Sequence, residues 1–594
     1  MDRQSILGFV LIFIVLVVWM WINNPPPKQG TAPPAKSQVK QDTVKVLDQP
    51  PPEKKPDSKP SDPYGKFFAA RATGTERFYK VETPTFRAEI SSKGGRIKTW
   101  ELKNYKTWDG KPVQLVDYES NGDLSLLFTT ADGRLINTKE LYFDILTPGD
   151  HVELGGNNFE FEIILSLPAS NGGRLLKTLK FRNNVEGFTT DLKFVNLGDV
   201  IANYEYQILW EHGVRYAEHN SIDESSFAAA YAYAGKELTE IDATSPEKKV
   251  EKDLTGVVDW VATRNKYFAV ALIPGQPVSS GAYLEGTHKI MPDNGATEIY
   301  SIALKMPFTG NAEENCSFKV FLGPLDLGLL RSYDANVESI MSLGWAWVIR
   351  PIAEYIMLPL FNVIHLAIPN WGIVIIVFSM LIKIALHPLT RTQMKSMKKM
   401  QALQPLMDEV REKYKDDPQK MNQAIMNLYK EYGVNPAGGC LPLLLQLPIL
   451  YALYSVFRAN IELRQASFVW WITDLSVPDI AVSLPFHIPL FGVKDLSGIA
   501  LIMGVSMFVQ QKMTVKDPRQ KMMIWMMPIM MTLIFNSLPS GLNLYYTVFN
   551  ILAIIQQVFV NKQHDAEPLR KVEPKKKSRG AFFAKFKDMP RLKK

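Results

Sequence analysis

Residues 370–390 read Asn-Trp-Gly-Ile-Val-Ile-Ile-Val-Phe-Ser-Met-Leu-Ile-Lys-Ile-Ala-Leu-His-Pro-Leu-Thr, and this stretch decides the fold class. Residues 371–386 form an apolar run of the kind that spans a membrane, although it is short for a hydrocarbon core about 30 Å thick. Lys383 lies inside the run. A charge at that depth costs at least about 3 kcal/mol, so Lys383 marks a candidate functional site.

Other polar residues share the helical face of Lys383. Ser379 lies four residues before it, His387 four after it and Thr390 three further on. In a continuous helix these spacings place all four on one side. The pattern favours a polar cavity that runs from the middle of the membrane to its cytoplasmic edge. The alternative is that Lys383 extends its ammonium group to the nearby interface.

Four more apolar runs follow, at residues 440–457, 496–509, 522–538 and 541–560. Lysines and arginines concentrate in alternate connections and in the tail, which places those segments in the cytoplasm. Gln446, Asn543, Tyr545, Tyr546 and Asn550 supply polar groups inside these runs. Each alone is more often a helix-packing contact. Together they indicate an internal hydrophilic surface facing Lys383.

The connection after the first run is long and periodic. Apolar residues recur every three or four positions on both sides of Asp416-Asp417-Pro418, which predicts an antiparallel helical hairpin with one apolar seam. The seam consists of Met394, Met397, Met400, Leu403, Met407, Val410 and Tyr414 in the first arm, and Met421, Ile425, Leu428 and Tyr432 in the second.

The N-terminal half has a different character. Residues 6–22 form an apolar run that predicts an uncleaved membrane anchor, and the following residues are too rich in proline and charge to fold. From Tyr64 onward apolar and polar residues alternate, as in Phe86–Ile90, 159–165 and 188–194. Period-two alternation with Gly and Asn turn signals predicts a large antiparallel β-sandwich. The loop charges place it in the periplasm.

Several functional classes find no support. The histidines lack the spacing of a metal site, and Cys316 and Cys440 suggest neither a metal site nor a disulfide. We expect no metal, no cofactor and no enzymatic activity. Trp210, Glu211 and Trp260 suit a sugar-binding cleft or, more often, a sandwich core. A proton-coupled transporter using Lys383 and His387 would need inverted repeats, and none is visible.

The C-terminal half resembles the YidC/Oxa-type membrane protein insertases. The resemblance rests on the segments Asn370-Trp371-Gly372, His387-Pro388-Leu389-Thr390, residues 434–442 (VNPAGGCLP), residues 462–466 (ELRQA) and residues 539–546 (PSGLNLYY). The anchor and the large periplasmic domain are similar to the long Gram-negative form, whose β-supersandwich is weakly matched at residues 260–262 and 267–269.

The resemblance implies a hydrophilic groove that is open to cytoplasm and lipid and closed to the periplasm. The groove residues would be Ser379, Lys383, His387, Gln446, Asn543, Tyr545 and Tyr546. Most relatives carry arginine where this chain has Lys383, which keeps the charge but loses the planar fork of the guanidinium. The implied partners are nascent membrane proteins, the Sec translocon, the ribosome and the lipid bilayer, with a monomer as the working unit.

These interpretations give a multi-domain chain: a polytopic α-helical membrane bundle with a large all-β periplasmic supersandwich. The predicted parts are an anchor at 1–23, a disordered tether at 24–63, the β-sandwich at 64–335, an interfacial amphipathic helix at 344–369, a five-span insertase core at 370–560 containing the cytoplasmic hairpin at 391–433, and a basic cytoplasmic tail at 561–594. Both termini are expected in the cytoplasm and the protein in the inner membrane. The expected function is insertion and folding of membrane proteins, alone or with the Sec translocon.

Overall fold

A computed structural model describes residues 63–120, 122–156, 158–183, 185–246, 248–291, 295–345, 347–434, 441–488, 493–514, 521–563 and 571. The predicted anchor, nearly all of the tether, and all but a few residues of the basic tail lie outside these ranges. The chain divides into two compact units, one ending at Ser342 and the other starting at Leu343.

The first unit is built from antiparallel sheets. In chain order its strands are β1 Phe78–Glu82, β2 Phe86–Ser91, β3 Arg96–Lys106, β4 Pro112–Gln114, β5 Ser125–Thr129, β6 Leu135–Asn137, β7 Asp144–Ile145, β8 His151–Glu153, β9 Glu160–Pro168, β10 Arg174–Arg182, β11 Gly187–Val195, β12 Glu205–Trp210, β13 Ala229–Ala234, β14 Glu237–Ile241, β15 Val250–Thr255, β16 Trp260–Arg264, β17 Phe268–Pro274, β18 Gly281–Ile290, β19 Ala296–Pro307 and β20 Glu313–Pro324. Short helices α1 Gly65–Phe68, α2 Ser221–Ser225 and α3 Leu327–Arg331 connect them.

These strands form three sheets within the described residues. The largest has the order β14-β13-β16-β17-β20-β11-β10-β9-β7, the second β15-β18-β19-β12-β5-β6, and the third β4-β3-β2-β1-β8. Strands β13 and β16 of the largest sheet pack against β18 and β19 of the second. Only the pairing of β1 with β8 is parallel among the described strand pairs. The predicted large antiparallel β-sandwich is confirmed.

The core of this unit follows the alternation in the sequence. In β2, Phe86, Ala88 and Ile90 are fully buried between more exposed neighbours. In β11 the same holds for residues 188–194. The prediction was wrong for Phe159, which lies just before β9 and is exposed. Alternation buries a side chain only where the strand is paired into a sheet with a covered face.

The second unit is helical. Its helices are α4 Ile349–Ile352, α5 Leu358–Ala367, α6 Trp371–Ala385, α7 His387–Ala402, α8 Gln404–Lys413, α9 Pro418–Glu431, α10 Leu441–Ala459, α11 Gly498–Thr514, α12 Lys521–Phe535 and α13 Ser540–Gln563, and a short hairpin joins β21 Val482–Ser483 to β22 Asp495–Leu496. By length and composition, Ser540–Phe559 is long and apolar enough to cross a membrane. Helices α6 and α7 pass that test jointly, but they are bent by 64°.

Helices α4 and α5 form one continuous rod through a π-helical segment at Ala353–Met357. The interfacial amphipathic helix expected at 344–369 stays a prediction, but Glu354 does not lie on an exposed polar face of this rod. Glu354 is buried, and Arg350 four residues earlier donates to its carboxylate at 3.0 Å. His365 is turned inward as well and stacks on Trp371. The exposed face carries polar Asn362 together with apolar Val363 and Leu366.

The hairpin arms pack through an apolar seam, but the first arm consists of two helices. Helix α7 already begins at His387, and it ends at Ala402, ahead of Pro405 in the first turn of α8. Leu403 and Met407 are buried together with Val434. The residues packed around these three are Met400, Leu406, Ile425, Leu428, Tyr429 and Tyr432.

Candidate functional site

Two local sequence signals set the ends of α6, the helix that carries Lys383. Asn370 caps the helix, since its side-chain oxygen accepts a hydrogen bond from the Ile373 amide at 3.1 Å. Pro388 stands in the first turn of α7, where it cannot continue the preceding helix. Helix α6 therefore stops at Ala385, about 22 Å from its start at 1.5 Å per residue. Lys383 lies in its last turn.

Lys383 is buried against α13. Its side chain is 8% exposed, and its ammonium nitrogen lies 4.1 Å from the centroid of the Phe549 ring. Among the described residues no carboxylate lies within ion-pair distance of it. The aromatic face offers a cation–π contact of about 1–2 kcal/mol when desolvated, less than the cost of removing an ammonium group from water. The site therefore holds a positive charge that its described neighbours do not neutralise.

Ser379 lies one turn before Lys383 and is fully buried. Its hydroxyl donates to the Ile375 carbonyl of its own helix at 2.7 Å. This back-bond leaves the hydroxyl oxygen free to accept one more hydrogen bond. The Ser379 hydroxyl can thus accept a hydrogen bond, but its own proton is already donated to Ile375.

The bend between α6 and α7 separates the four polar residues that were predicted to share one helical face. His387 is exposed at the start of α7, whereas Thr390 is buried one turn later. The single helical face expected for Ser379, Lys383, His387 and Thr390 required a continuous helix, and the 64° bend rules that out. Ser379 and Lys383 form a buried membrane part, and His387 and Thr390 form a second part at the helix junction.

Gln556 of α13 ties this second part together, and the sequence analysis missed it. Its amide nitrogen lies 3.2 Å from Nδ1 of His387 and 3.1 Å from the Thr390 hydroxyl. Gln556 follows Phe549 by seven residues, so both lie on the same face of α13. Helix α13 therefore supplies both the ring over Lys383 and the amide at the junction. That seven-residue spacing was the signal available in the sequence.

The predicted residues of α13 separate into two groups. Tyr545 is buried beside Phe549, on the Lys383 side of the helix, with ring centroids 5.7 Å apart. Asn543 points elsewhere: its amide donates to the Phe535 carbonyl of α12 at 3.1 Å. Asn550 likewise donates to Ser506 of α11. These two asparagines serve helix packing against α11 and α12.

Tyr546 and Gln446 are half-buried. Tyr546 packs edge-on against the Phe535 ring at 5.0 Å. Gln446 lies on α10 and makes no hydrogen bond to another member of the predicted set within the described residues. The structure thus brings Ser379, Lys383 and Tyr545 together in the bundle and His387 at the junction. It does not bring Asn543, Tyr546 or Gln446 into contact with Lys383.

Two buried polar atoms of α13 lack a partner in the part of the chain that the structure describes. They are the Tyr545 hydroxyl and the side-chain oxygen of Asn543. Buried polar groups are nearly always hydrogen-bonded, and a water molecule or a ligand is the usual partner where protein offers none. The Tyr545 hydroxyl, on the Lys383 side of α13, can therefore bind a polar group together with the unneutralised Lys383.

The burial of two tryptophans argues against the sugar-binding cleft that was considered for the β-sandwich. Trp210 and Trp260 are fully buried, and their indole nitrogens donate to the carbonyls of Gly213 and Ala335. They are core residues and cannot line a sugar cleft. No cluster of three or more metal-ligating side chains occurs among the residues described.

Comparisons with known proteins match both halves of the chain. Residues 79–355 match a family model described as the YidC periplasmic domain, and residues 363–567 match one described as the 60Kd inner membrane protein. A membrane protein insertase YidC from Chlorobaculum parvum is 39% identical over 568 residues, which cover 94% of each chain. The one from Chlorobium phaeovibrioides is 40% identical over 570 residues, covering 94% of this chain and 95% of the relative.

A solved structure described as an active YidC insertase with its first transmembrane domain resolved matches 83% of this chain and 94% of its own. Its sequence identity is 20% and its TM-score 0.35. The family assignment rests on the sequence relatives, whose lengths this chain spans almost completely.

Proposed function

Since the chain belongs to the YidC family of membrane protein insertases, we propose that the buried surface around Lys383 is where it receives the polar part of an incoming membrane protein. The protein is an insertase of the inner membrane with a periplasmic domain. The observation that carries the proposal is the burial of Lys383 over Phe549 with no carboxylate in reach among the described residues.

The chemistry is partition without a covalent step. An uncompensated cation attracts the acidic or polar outer segment of a substrate, because Coulomb attraction is stronger at low dielectric than in water. Ser379 and Tyr545 offer hydrogen-bonding groups beside it. The apolar segment of the substrate then passes from the bundle into lipid, driven by the hydrophobic effect. The site lowers the desolvation barrier for the polar part.

Helix lengths support this route. Helix α6 and helix α12 each contain 15 residues, or about 22 Å of helix, against a hydrocarbon core of about 30 Å. Short spans draw headgroups and water inward. Local thinning reduces the distance over which the polar segment travels without water. A compact bundle with tilted neighbours is the alternative explanation of the same lengths.

The hairpin is the proposed first contact for a nascent chain in the cytoplasm. Its seam is held by Leu403, Met407 and Val434, while Met426 of α9 is exposed. Methionine adapts its shape to different apolar partners at little cost. The hairpin can therefore hold varied hydrophobic segments near the entrance beside His387.

We further propose that both termini lie in the cytoplasm, that the Sec translocon and the ribosome are partners, that the protein works as a monomer, and that it carries no enzymatic activity. The support for ribosome contact is the tail, where Lys575-Lys576-Lys577 is followed by Arg579, Lys585, Lys587, Arg591, Lys593 and Lys594. Clustered cations bind nucleic acid by releasing its counterions. Positive-inside anchoring explains the same charges without a ribosome.

Site-specific photocrosslinking tests the proposed route. A crosslinking residue at position 556 would face the junction with His387 and Thr390, while one at the adjacent position 555 would be exposed on the outside of the same helix. With a ribosome-bound nascent membrane protein, we expect the polar outer segment to react at position 556 and the apolar segment at position 555.

The two positions are matched in depth and helix, so expression and membrane context are shared. Equal reaction of both nascent segments at both positions would show that α13 does not sort polar from apolar sequence. Reaction of the polar segment only at position 555 would place the route outside the bundle.

A further inference from the structure

The connection between α10 and α11 closes over three helix ends. Phe468 packs so closely on Gly372, at the start of α6, that a Cβ there would collide with the ring. A Cβ on Gly498, the first residue of α11, would lie 2.7 Å from Cζ2 of Trp471. The Ser540 hydroxyl, at the start of α13, donates to the Asp474 carbonyl at 2.8 Å. The first residues of three membrane helices therefore lie beside this connection.

Asp479 fixes Trp471 in this arrangement. The indole nitrogen of Trp471 donates to the Asp479 carboxylate at 2.8 Å, and the amides of Gly498 and Ile499 donate to it as well. The Ser497 hydroxyl is a further donor. A buried carboxylate with four donors is satisfied, so it serves as a rigid support for the indole.

Trp470 is at the tip and points away from this support. It lies in a turn closed by the Ile472 amide, which donates to the Val469 carbonyl at 3.0 Å. Its side chain is 85% exposed, and its ring stacks on Trp471 with centroids 5.7 Å apart. Its φ is +51°, a left-handed conformation that bulky residues rarely adopt. An exposed large side chain held in a strained turn calls for a role outside the protein's own packing.

The chain around the tip is largely apolar, and the adjoining hairpin carries Lys494, whose carbonyl accepts from the Leu484 amide at 2.8 Å. Val469, Ile480, Val482 and Phe486 are also exposed. Residues 465–487 contain no lysine or arginine. Their two carboxylates are engaged, Asp474 with Ser476 and Asp479 with Trp471. The patch thus presents two indoles and aliphatic side chains at the level where membrane helices begin.

We propose that the tip, Val469-Trp470-Trp471, anchors in the lipid headgroup layer on the side of the membrane where α6, α11 and α13 begin. The argument for lipid is continuity: these helices enter the bilayer beside the tip, and indoles favour the boundary between headgroups and acyl chains. Under the proposed topology this is the periplasmic leaflet.

Anchoring of the tip sets how deeply the helical bundle lies in the bilayer. Helix α6 is about 8 Å shorter than the hydrocarbon core. When its first residue is fixed at one leaflet, the whole shortfall falls at the other leaflet, next to Lys383 and His387. By fixing one end of α6, the tip therefore directs bilayer thinning to the side of the membrane from which substrates enter.

Fluorescence quenching measures the position of the tip. The full chain with Cys316→Ser and Cys440→Ser carries either Trp470→Cys or, as a control in the β-sandwich, Val257→Cys, which is also exposed. Each cysteine is labelled with an environment-sensitive fluorophore in vesicles of phosphatidylethanolamine and phosphatidylglycerol. Spin-labelled lipids should quench the label at 470 at least about threefold more than at 257, and aqueous iodide should show the reverse.

Strong iodide quenching at position 470 would place the tip in water and overturn the proposal. Protection from both quenchers would also overturn it, because the tip would then be covered by protein, either a partner or a second copy.

A pair of substitutions separates anchoring from a structural role. Trp470→Gly suits the positive φ, so thermal stability in detergent should stay equal or rise, while a label at the lipid-facing position 384 should move to a different depth in vesicles. Trp470→Tyr keeps an interfacial aromatic and should leave that depth unchanged. A loss of detergent stability in the glycine variant with no change in depth would assign Trp470 to packing alone.

Discussion

Lys177 of β10 allows a prediction with a defined magnitude. The side chain is 2% exposed, and its ammonium group donates to the Leu124 carbonyl at 2.8 Å. Burial lowers the pKa of Lys177 from its ordinary 10.5 to about 7, and the nearby positive charge of Arg96 makes a smaller contribution in the same direction. The unfolded chain therefore binds this proton more tightly than the folded domain does. Stability should rise with pH above about 7 and be insensitive to this group below it.

Between pH 7 and pH 9 the lysine should add about 2 kcal/mol to the free energy of unfolding of the β-sandwich. Lys177→Met keeps the length of the side chain and removes the charge, so this gain should disappear. The lost hydrogen bond to Leu124 costs about 1 kcal/mol at every pH. Because other titrating groups are common to both proteins, the difference between them isolates Lys177.

The assay is urea unfolding of residues 63–342, followed by tryptophan fluorescence at pH 7 and pH 9. The buried Trp100, Trp210 and Trp260 report loss of the core. If wild type and Lys177→Met gain the same stability between the two pH values, the lysine is not held in a low-dielectric site and the reasoning fails.

Three further predictions concern the helical unit. Gly504→Ala should loosen α11 from α12, because the added Cβ collides with Thr532, and Thr532→Ala should recover part of the lost thermal stability in detergent. Met407→Asp buries a charge in the hairpin seam and should make the hairpin at least about tenfold more sensitive to protease, whereas Lys413→Asp on the exposed face should not. Removing residues 575–594 should weaken ribosome cosedimentation and its salt dependence, and unchanged cosedimentation would leave the tail a topological signal only.

The sequence predicted the β-sandwich because alternation follows directly from strand geometry. The apolar run singled out Lys383, which is buried in the structure, while the polar cavity around it stays a prediction. Sequence reasoning failed where two elements meet. The pattern around residues 344–369 did not reveal that Glu354 is buried, because its ion pair with Arg350, four residues earlier, allows that burial.

The same limit applies to the candidate site. Spacing along one helix suggested the stripe from Ser379 to Thr390, but Pro388 bends the chain between them. The spacing of Gln556 from Phe549 placed both on one face of α13, but the partners of Gln556 became known only when α13 was placed beside α7. Asn543 shows the opposite failure, because it was predicted to line the groove and instead contacts α12. An isolated polar residue in a span does not reveal which neighbouring helix it faces. Contacts between helices are set by packing of the whole bundle, and periodicity in one segment does not contain them.

Substitutions that change the charge at position 383 test the central claim most directly. Lys383→Arg, Lys383→Ala and Lys383→Glu are compared in protease protection of nascent chains that differ only in the charge of their outer segment, with Lys395→Glu on the exposed part of α7 as the control for net charge. The account predicts that arginine retains insertion, that alanine impairs acidic more than neutral segments, and that glutamate is worst for acidic ones while Lys395→Glu changes little. Equal insertion by the alanine and glutamate variants across the whole charge series would contradict a role for the charge of Lys383.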